Sequence, residues 1–210
     1  MTDTPAPVAK TPNATQSDKK PHKSKDLREG LIDAGLAILA DEGAGPLTLR
    51  KAAARAGVSH AAPAHHFNGK AGLLAAIATR GFDTFTTYMK ADRYKFGQSA
   101  QDQLRGICNG YLRFADEHPA LFSLIFTADV KNQHDDPDLV AASQLSYDEL
   151  ADVCALFAPS PHGAGVNELQ IWSLVHGYAE LRAFTKSTHP ITGTLIPFET
   201  LLPPLTPLMP

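Results

Sequence analysis

"AGVSHAAPAHHFNGK", residues Ala56 to Lys70, sets three histidines, a proline and a lysine among small residues. Immediately before it, Thr48 offers an N-cap hydroxyl to the alanine-rich run "LRKAAARA", which predicts a short helix. Gly57 follows at the position where a helix C-terminus needs a left-handed residue. Ser59 is placed to cap a second short helix predicted to reach about Phe67. Two short helices joined by a glycine-containing turn of about three residues predict a helix-turn-helix. The small side chains of Ala52, Ala53 and Ala56 allow the helices to approach closely, and Val58 is placed to plug the angle between them.

Three chemistries compete for the histidines. A metal site is poorly served: His60 and His65 diverge on a helix, His65 and His66 point about 100° apart, and no Cys or close carboxylate completes a tetrahedron. Catalysis by a histidine base needs a Ser or Cys partner that the spacing does not supply. Contact with nucleic acid remains, with no metal, no cofactor and no catalytic residue expected.

Composition is ordinary for a globular chain, with 43% hydrophobic and 20% charged residues and a formal net charge of −3 over 210 residues. The charge is unevenly spread. Residues 1 to 90 carry 12 Lys+Arg against 8 Asp+Glu, while residues 91 to 210 carry 7 against 14. That asymmetry predicts a basic module joined to an acidic one. The two cysteines, Cys108 and Cys154, have no CxxC spacing and sit in apolar helical patterns, as reduced core thiols do. No apolar run reaches the roughly 18 residues of a membrane span, and the N-terminus lacks the apolar segment of a secretory signal, so a cytoplasmic protein with no membrane partner is expected.

Residues 1–24 are rich in Pro, Thr, Ala and Lys without apolar periodicity and are expected to form a disordered basic tail. The cluster Lys19, Lys20, His22, Lys23, Lys25 and Arg28 closes it, either solvated or reaching toward phosphates. From Asp26 the spacing of Leu27, Leu31, Ile32, Ile38 and Leu39 predicts a helix that ends at "DEGAGP". Further helices are predicted from about Lys70 to Tyr94, Ala100 to Glu117, Ala120 to Thr127, Asp138 to Phe157 and Val166 to Lys186. The fold class is therefore all-α, with a helix-turn-helix domain over 25–72 and an all-helical domain over 73–210. Between Leu169 and Phe184 nearly every helix face is apolar, so one face can serve the domain core while the other needs a second subunit. The prolines of "LIPFETLLPPLTPLMP" exclude a long helix there and leave an extended apolar cover.

The run Leu47 to Ile77 resembles the DNA-binding region of TetR/AcrR-type bacterial transcriptional regulators, with Thr48, Ala53, Gly57, Val58, Ser59, His66, Phe67, Lys70 and Leu73 at the family's spacing. Downstream, "FADEHPALFSLIF" (Phe114 to Phe126) and "IWSLVHGYAEL" (Ile171 to Leu181) resemble a subgroup whose effector domain carries a Trp followed by Val-His-Gly, here Trp172, Val175, His176 and Gly177. Two departures stand out. Ala64 occupies the position where the family usually has a phosphate-contacting Tyr, and Pro63 lies within the first turn of the second helix.

The resemblance implies a regulator of transcription rather than an enzyme, in the form of a homodimeric repressor released from double-stranded DNA by a small, largely apolar effector. By position, Thr48, Arg50 and Ser59 would contact the DNA backbone, and Lys70 a phosphate at the positive end of the next helix. His60, Ala61, Ala62 and His65 would face bases, and His66 would either join them or pack beneath the recognition helix. One such helix makes few bidentate contacts, each worth roughly 1–3 kcal/mol of discrimination, so two half-sites on a pseudo-palindromic operator are expected. Phe85, Tyr88, Met89, Tyr111, Phe122, Phe126, Tyr147, Trp172 and His176 would line an effector pocket or else form plain core. Leu145, Leu150, Leu174, Tyr178 and Leu181 would build an intersubunit four-helix bundle.

Two other classes were open to the sequence. An all-helical enzyme or small-molecule carrier with an incidental helix-turn-helix would need a constellation in the acidic half, where Asp135, Asp136, Asp138 and the isolated His134 suggest only a solvated loop. A sequence-tolerant architectural DNA binder would need more positive charge than the N-terminal ninety residues carry.

Overall fold

Helix α1, Lys20–Glu42, begins six residues ahead of Asp26 in the computed structural model, which describes residues 20–127, 130, 135–186 and 196–208. Apolar spacing locates the face that packs and not the first hydrogen-bonded turn, so the sequence pattern begins later than the helix. Residues 1–19 of the expected basic tail lie outside the described residues, as do the side chains of residues 20–24, and so do His134 and the Phe184 side chain.

Helix α2, Leu49–Arg55, starts where Thr48 Oγ1 accepts the Lys51 amide at 3.1 Å. It stops at Gly57, whose φ of 69° lets the Val58 amide reach back to the Ala53 carbonyl at 3.0 Å. Ala52 and Ala53 are fully buried, and Val58 packs against the core. After the turn, the expected second helix over Ser59–Phe67 contracts to a 3-10 helix at Ala62–His65, with no side-chain cap. Pro63 is the cause. It has no amide to give the Ser59 carbonyl, which instead takes the Ala62 amide at 3.0 Å, three residues on. Pro63 itself is buried beneath the turn.

Helices α3 (Gly69–Asp92), α4 (Ala100–Glu117), α5 (Pro119–Ile125), α6 (Pro137–Cys154) and α7 (Val166–Lys186) complete seven α-helices among the described residues. Ser99 caps α4 through the Asp102 amide. Asp136 caps α6 by accepting the amides of Asp138 and Leu139, both at 3.1 Å, so this aspartate of the expected solvated loop has a structural task. Helix α3 is the axis of the molecule: its buried face runs from Leu73 and Ile77, packed with Leu31, Leu39 and Leu47, to Phe82, Phe85 and Met89, packed with α4 and α5. Residue 73, where the second domain was expected to begin, lies inside this helix rather than in a linker.

Crossing of α3 and α4 is close because Gly106 and Gly110 lie one turn apart on α4, against the α3 backbone. Buried Asp92 closes the crossing, accepting from Asn109 Nδ2 at 2.6 Å and pairing with Arg113 at 3.1 Å. Residues 196–208 cross this body with no helix beyond the 3-10 turn Phe198–Thr200. Ile196 receives the Tyr178 hydroxyl at its carbonyl (2.9 Å), Phe198 buries against the Tyr178 ring, and Leu156 and Ala158 exchange amide bonds with Leu208 and Thr206.

Candidate functional site

At the N-terminal end, exposure sorts the expected DNA contacts. Thr48, Arg50, Ser59, His60, Ala61, His65 and Lys70 are exposed, whereas Ala62 and His66 are half-buried. The His66 ring leans on Phe67, with centroids 6.4 Å apart, and the Arg28 guanidinium lies 5.5 Å over that same Phe67 ring. Phe67, buried and in contact with Arg28, links the turn to α1. Ala64, at the usual tyrosine position, is exposed.

The cations of this end divide into two groups. Lys51 pairs with Glu42, Arg55 with Asp41 at 2.7 Å, and Arg80 with Glu29, tying α2 and α3 to α1. Arg50 and Lys70 make no ion pair among the described residues. Gly69 takes φ 69° at the start of α3, which leaves Lys70 beside the unsatisfied amides of that helix's first turn. A cation next to a positive helix end is a disposition suited to an anion.

A cavity of about 590 Å³ opens between α3, α4, α6 and α7. Phe85, Met89, Tyr111, Phe126, Tyr147, Trp172 and His176 all line it. Tyr88 does not: one residue before Met89, it points about 100° away, and its hydroxyl bonds to Glu117 and lies 3.0 Å from His118 Nε2. The hydrogen bond to the Glu117 carboxylate, with burial second, holds the Tyr88 phenol above its ordinary range. Phe122 stands behind the wall instead of in it, buried against Tyr111, Phe126 and His176.

Within the cavity the Tyr111 hydroxyl lies 2.8 Å from His176 Nδ1, and the Phe126 ring packs edge-on to His176 with centroids 4.7 Å apart. Burial pushes the Tyr111 phenol far up, so it stays protonated. Tyr147 and Trp172, partly exposed and 6.2 Å apart, form the rim.

Several lining residues were missed. Phe82 and Cys108 precede Phe85 and Tyr111 by three residues and share their helix faces, a spacing visible in the sequence. Ser143, Gln144 and Ser146 of α6 carry no such signal, because short polar side chains on a helix read as solvent-facing. Ser146 is in fact buried, 2.8 Å from the Thr86 hydroxyl on α3. Leu150, expected at a subunit interface, lines the cavity, and Leu174 and Tyr178 are half-buried against their own core. Of the interface set, Leu145 and Leu181 are well exposed.

Among the described residues no helix is long and apolar enough to cross a membrane. Residues 31–77 match the family model of bacterial regulatory proteins of the tetR family, and residues 104–194 match that of the tetracyclin repressor-like C-terminal domain. An uncharacterized HTH-type transcriptional regulator of Mycobacterium tuberculosis is 24% identical over 168 residues, 80% of this chain and 74% of the relative. A protein of unknown function from Rhodococcus sp. RHA1 superposes with a TM-score of 0.69 at 25% identity, over 88% of this chain and 93% of that one. The TetR-like transcriptional regulator LfrR from Mycobacterium smegmatis, solved in complex with proflavine, superposes with a TM-score of 0.54 at 20% identity, over 76% of this chain and 86% of that one.

Proposed function

The chain belongs to the TetR family of bacterial transcriptional regulators, and from that membership we propose that it is a cytoplasmic, homodimeric repressor released from a pseudo-palindromic operator when a small, largely apolar molecule occupies the α3–α4–α6–α7 cavity. Residues 25–72 form the DNA-reading head and 73–210 the effector and dimerisation body. Arg50, Thr48, Ser59 and Lys70 hold phosphates. His60, Ala61, Ala62 and His65 address base edges, and His66, half-buried on Phe67, supports the turn from beneath. No catalytic step is assigned to any residue.

The observation that carries this reading is the continuity of α3. One helix of 24 residues begins at the recognition turn and carries Phe82, Phe85 and Met89 into the cavity wall, a length of roughly 36 Å at 1.5 Å per residue. A ligand that displaces those rings tilts a lever whose far end is Lys70. Cofactors play no part in the proposed mechanism; the ligand needs only a few kcal/mol of preference for the tilted state to act as a switch. LfrR, whose structure holds proflavine, shares this fold, which supports a small molecule as the effector.

Dimerisation is proposed through the exposed apolar residues of α6 and α7, among them Val140, Leu145 and Leu181. A monomer has no internal use for that surface, and two half-sites one DNA turn apart require two heads.

Selection of bound duplexes from a random pool, repeated at two salt concentrations, tests the proposal. Enrichment of an inverted repeat whose binding weakens when a cavity ligand is added is the expected outcome. Failure to enrich any sequence, with weak binding that disappears as salt rises, contradicts it.

A further inference from the structure

We propose that the cavity selects uncharged ligands, and that the Tyr111–His176 pair is the polar point at which it recognises one neutral hydrogen-bonding group on an otherwise apolar, ring-shaped molecule. This inference rests on the cavity being the effector site.

None of the described residues that line the cavity is Asp, Glu, Lys or Arg. An anion entering it would find no cationic partner, and a cation no carboxylate. Moving an ion out of water carries a large penalty, which attraction of a cation to the ring faces offsets only in part. The aromatic wall therefore favours neutral rings over organic cations of the same shape.

Three polar side chains that α6 brings to the cavity are already engaged within the protein, while Tyr147 and, on α7, Ser173 are exposed residues. Ser146 is bonded to Thr86 (2.8 Å) and to the Ala142 carbonyl (3.1 Å), Ser143 donates to the Val140 carbonyl (2.9 Å), and Gln144 donates to Asp148 (2.8 Å). Opposite them, Tyr111 on α4 and His176 on α7 meet at 2.8 Å inside the wall, framed by Phe122 and Phe126. Both residues line the cavity, and burial keeps the phenol neutral. A hydroxyl or carbonyl on the ligand can join this pair without introducing charge; a ligand lacking one forgoes that bond.

The chain has a single tryptophan, Trp172, and it stands at the cavity rim, so occupancy can be read from its emission without DNA. Full-length protein would be titrated with four compounds of one shape: biphenyl, 4-phenylphenol, biphenyl-4-carboxylate and 4-phenylbenzylammonium, with excitation at the red edge of indole absorption and calorimetry in parallel. The expected result is that 4-phenylphenol binds at least ten-fold more tightly than either ion. Tyr111→Phe and His176→Gln should each reduce 4-phenylphenol binding about ten-fold while leaving biphenyl within two-fold. If either ion binds as tightly as the phenol, if both variants retain phenol affinity, or if none of the four compounds binds, the proposal is overturned. Operator selection reads the regulator proposal independently, so a duplex-binding protein with an ion-preferring cavity would refute only the present inference. Two chemically different substitutions, each checked by circular dichroism, keep the result from hinging on one misfolded variant.

Discussion

Gly110 on α4 lies so close to Tyr88 on α3 that a Cβ built on the glycine would fall 2.4 Å from the Tyr88 carbonyl oxygen. Gly106, one turn earlier, would meet the Asp92 carbonyl oxygen at the same distance. Backbone cannot yield as a flexible side chain can. Gly110→Ala should therefore lower unfolding free energy by about 1–3 kcal/mol, the usual cost of overpacking. Gly30→Ala, on α1 with nothing within 4 Å of the added carbon, should instead gain up to about 1 kcal/mol from helix propensity. Urea denaturation of the two variants checks both signs.

For DNA, Arg50 and Lys70, both exposed and without an ion pair among the described residues, should separate from the histidines by their salt behaviour. Arg50→Ala and Lys70→Ala are each expected to weaken all duplexes alike and to flatten the plot of log affinity against log salt by about 0.9. His60→Ala and His65→Ala should alter which bases are preferred, with little change in that slope. Anisotropy titrations on the selected repeat and on scrambled duplexes at several salt concentrations distinguish the two patterns.

Leu145→Arg combined with Leu181→Arg should give a monomer in sedimentation equilibrium with an unchanged circular dichroism spectrum, because both side chains are more than half exposed in the single chain. Leu150→Ala should leave the dimer intact and instead lower thermal stability, since that side chain belongs to the cavity wall and core. A dimer that survives both arginines places the subunit contact elsewhere.

The thiols carry a pH prediction. Burial pushes Cys108 well above the ordinary range and Cys154 up to about 12 from 9.0. In the unfolded chain both ionise near the ordinary value, so above it the unfolded state binds fewer protons than the folded one. Their contribution to stability is intact below about pH 9 and falls as pH rises from there toward 12. The urea midpoint of Cys154→Ala should accordingly decline less between pH 8 and pH 10 than that of the parent protein. At pH 8 neither thiol should react with Ellman's reagent until denaturant is added.

The location of the turn and the bounds of α4 and α7 were legible because they depend on local signals. Thr48 as a cap, Gly57 as a left-handed stop and the 3.6-residue spacing along α4 and α7 each act over a few residues. Even there Pro63 was only half read: its place in the turn was visible, but the shift of the Ser59 carbonyl to an i+3 partner depended on the backbone actually closing. The start of α1 was misplaced for a related reason, since the apolar pattern begins at Leu27 whereas the helical backbone begins at Lys20.

Helical spacing made Phe85, Met89, Tyr111, Phe126 and Trp172 candidates for either a pocket or plain core, and the family resemblance pointed to a pocket. Which of them would surround empty space was settled by the crossing of α3 and α4 at Gly106 and Gly110 and by the approach of α6 and α7, all contacts between residues distant in the chain. The same packing turned Tyr88 outward to Glu117, set Phe122 behind the wall, drew Leu150 inward and brought Tyr111 to His176. A helical pattern specifies the direction of each side chain about its own axis; what lies in that direction depends on the position and rotation of every other helix, and no local run of residues carries that information.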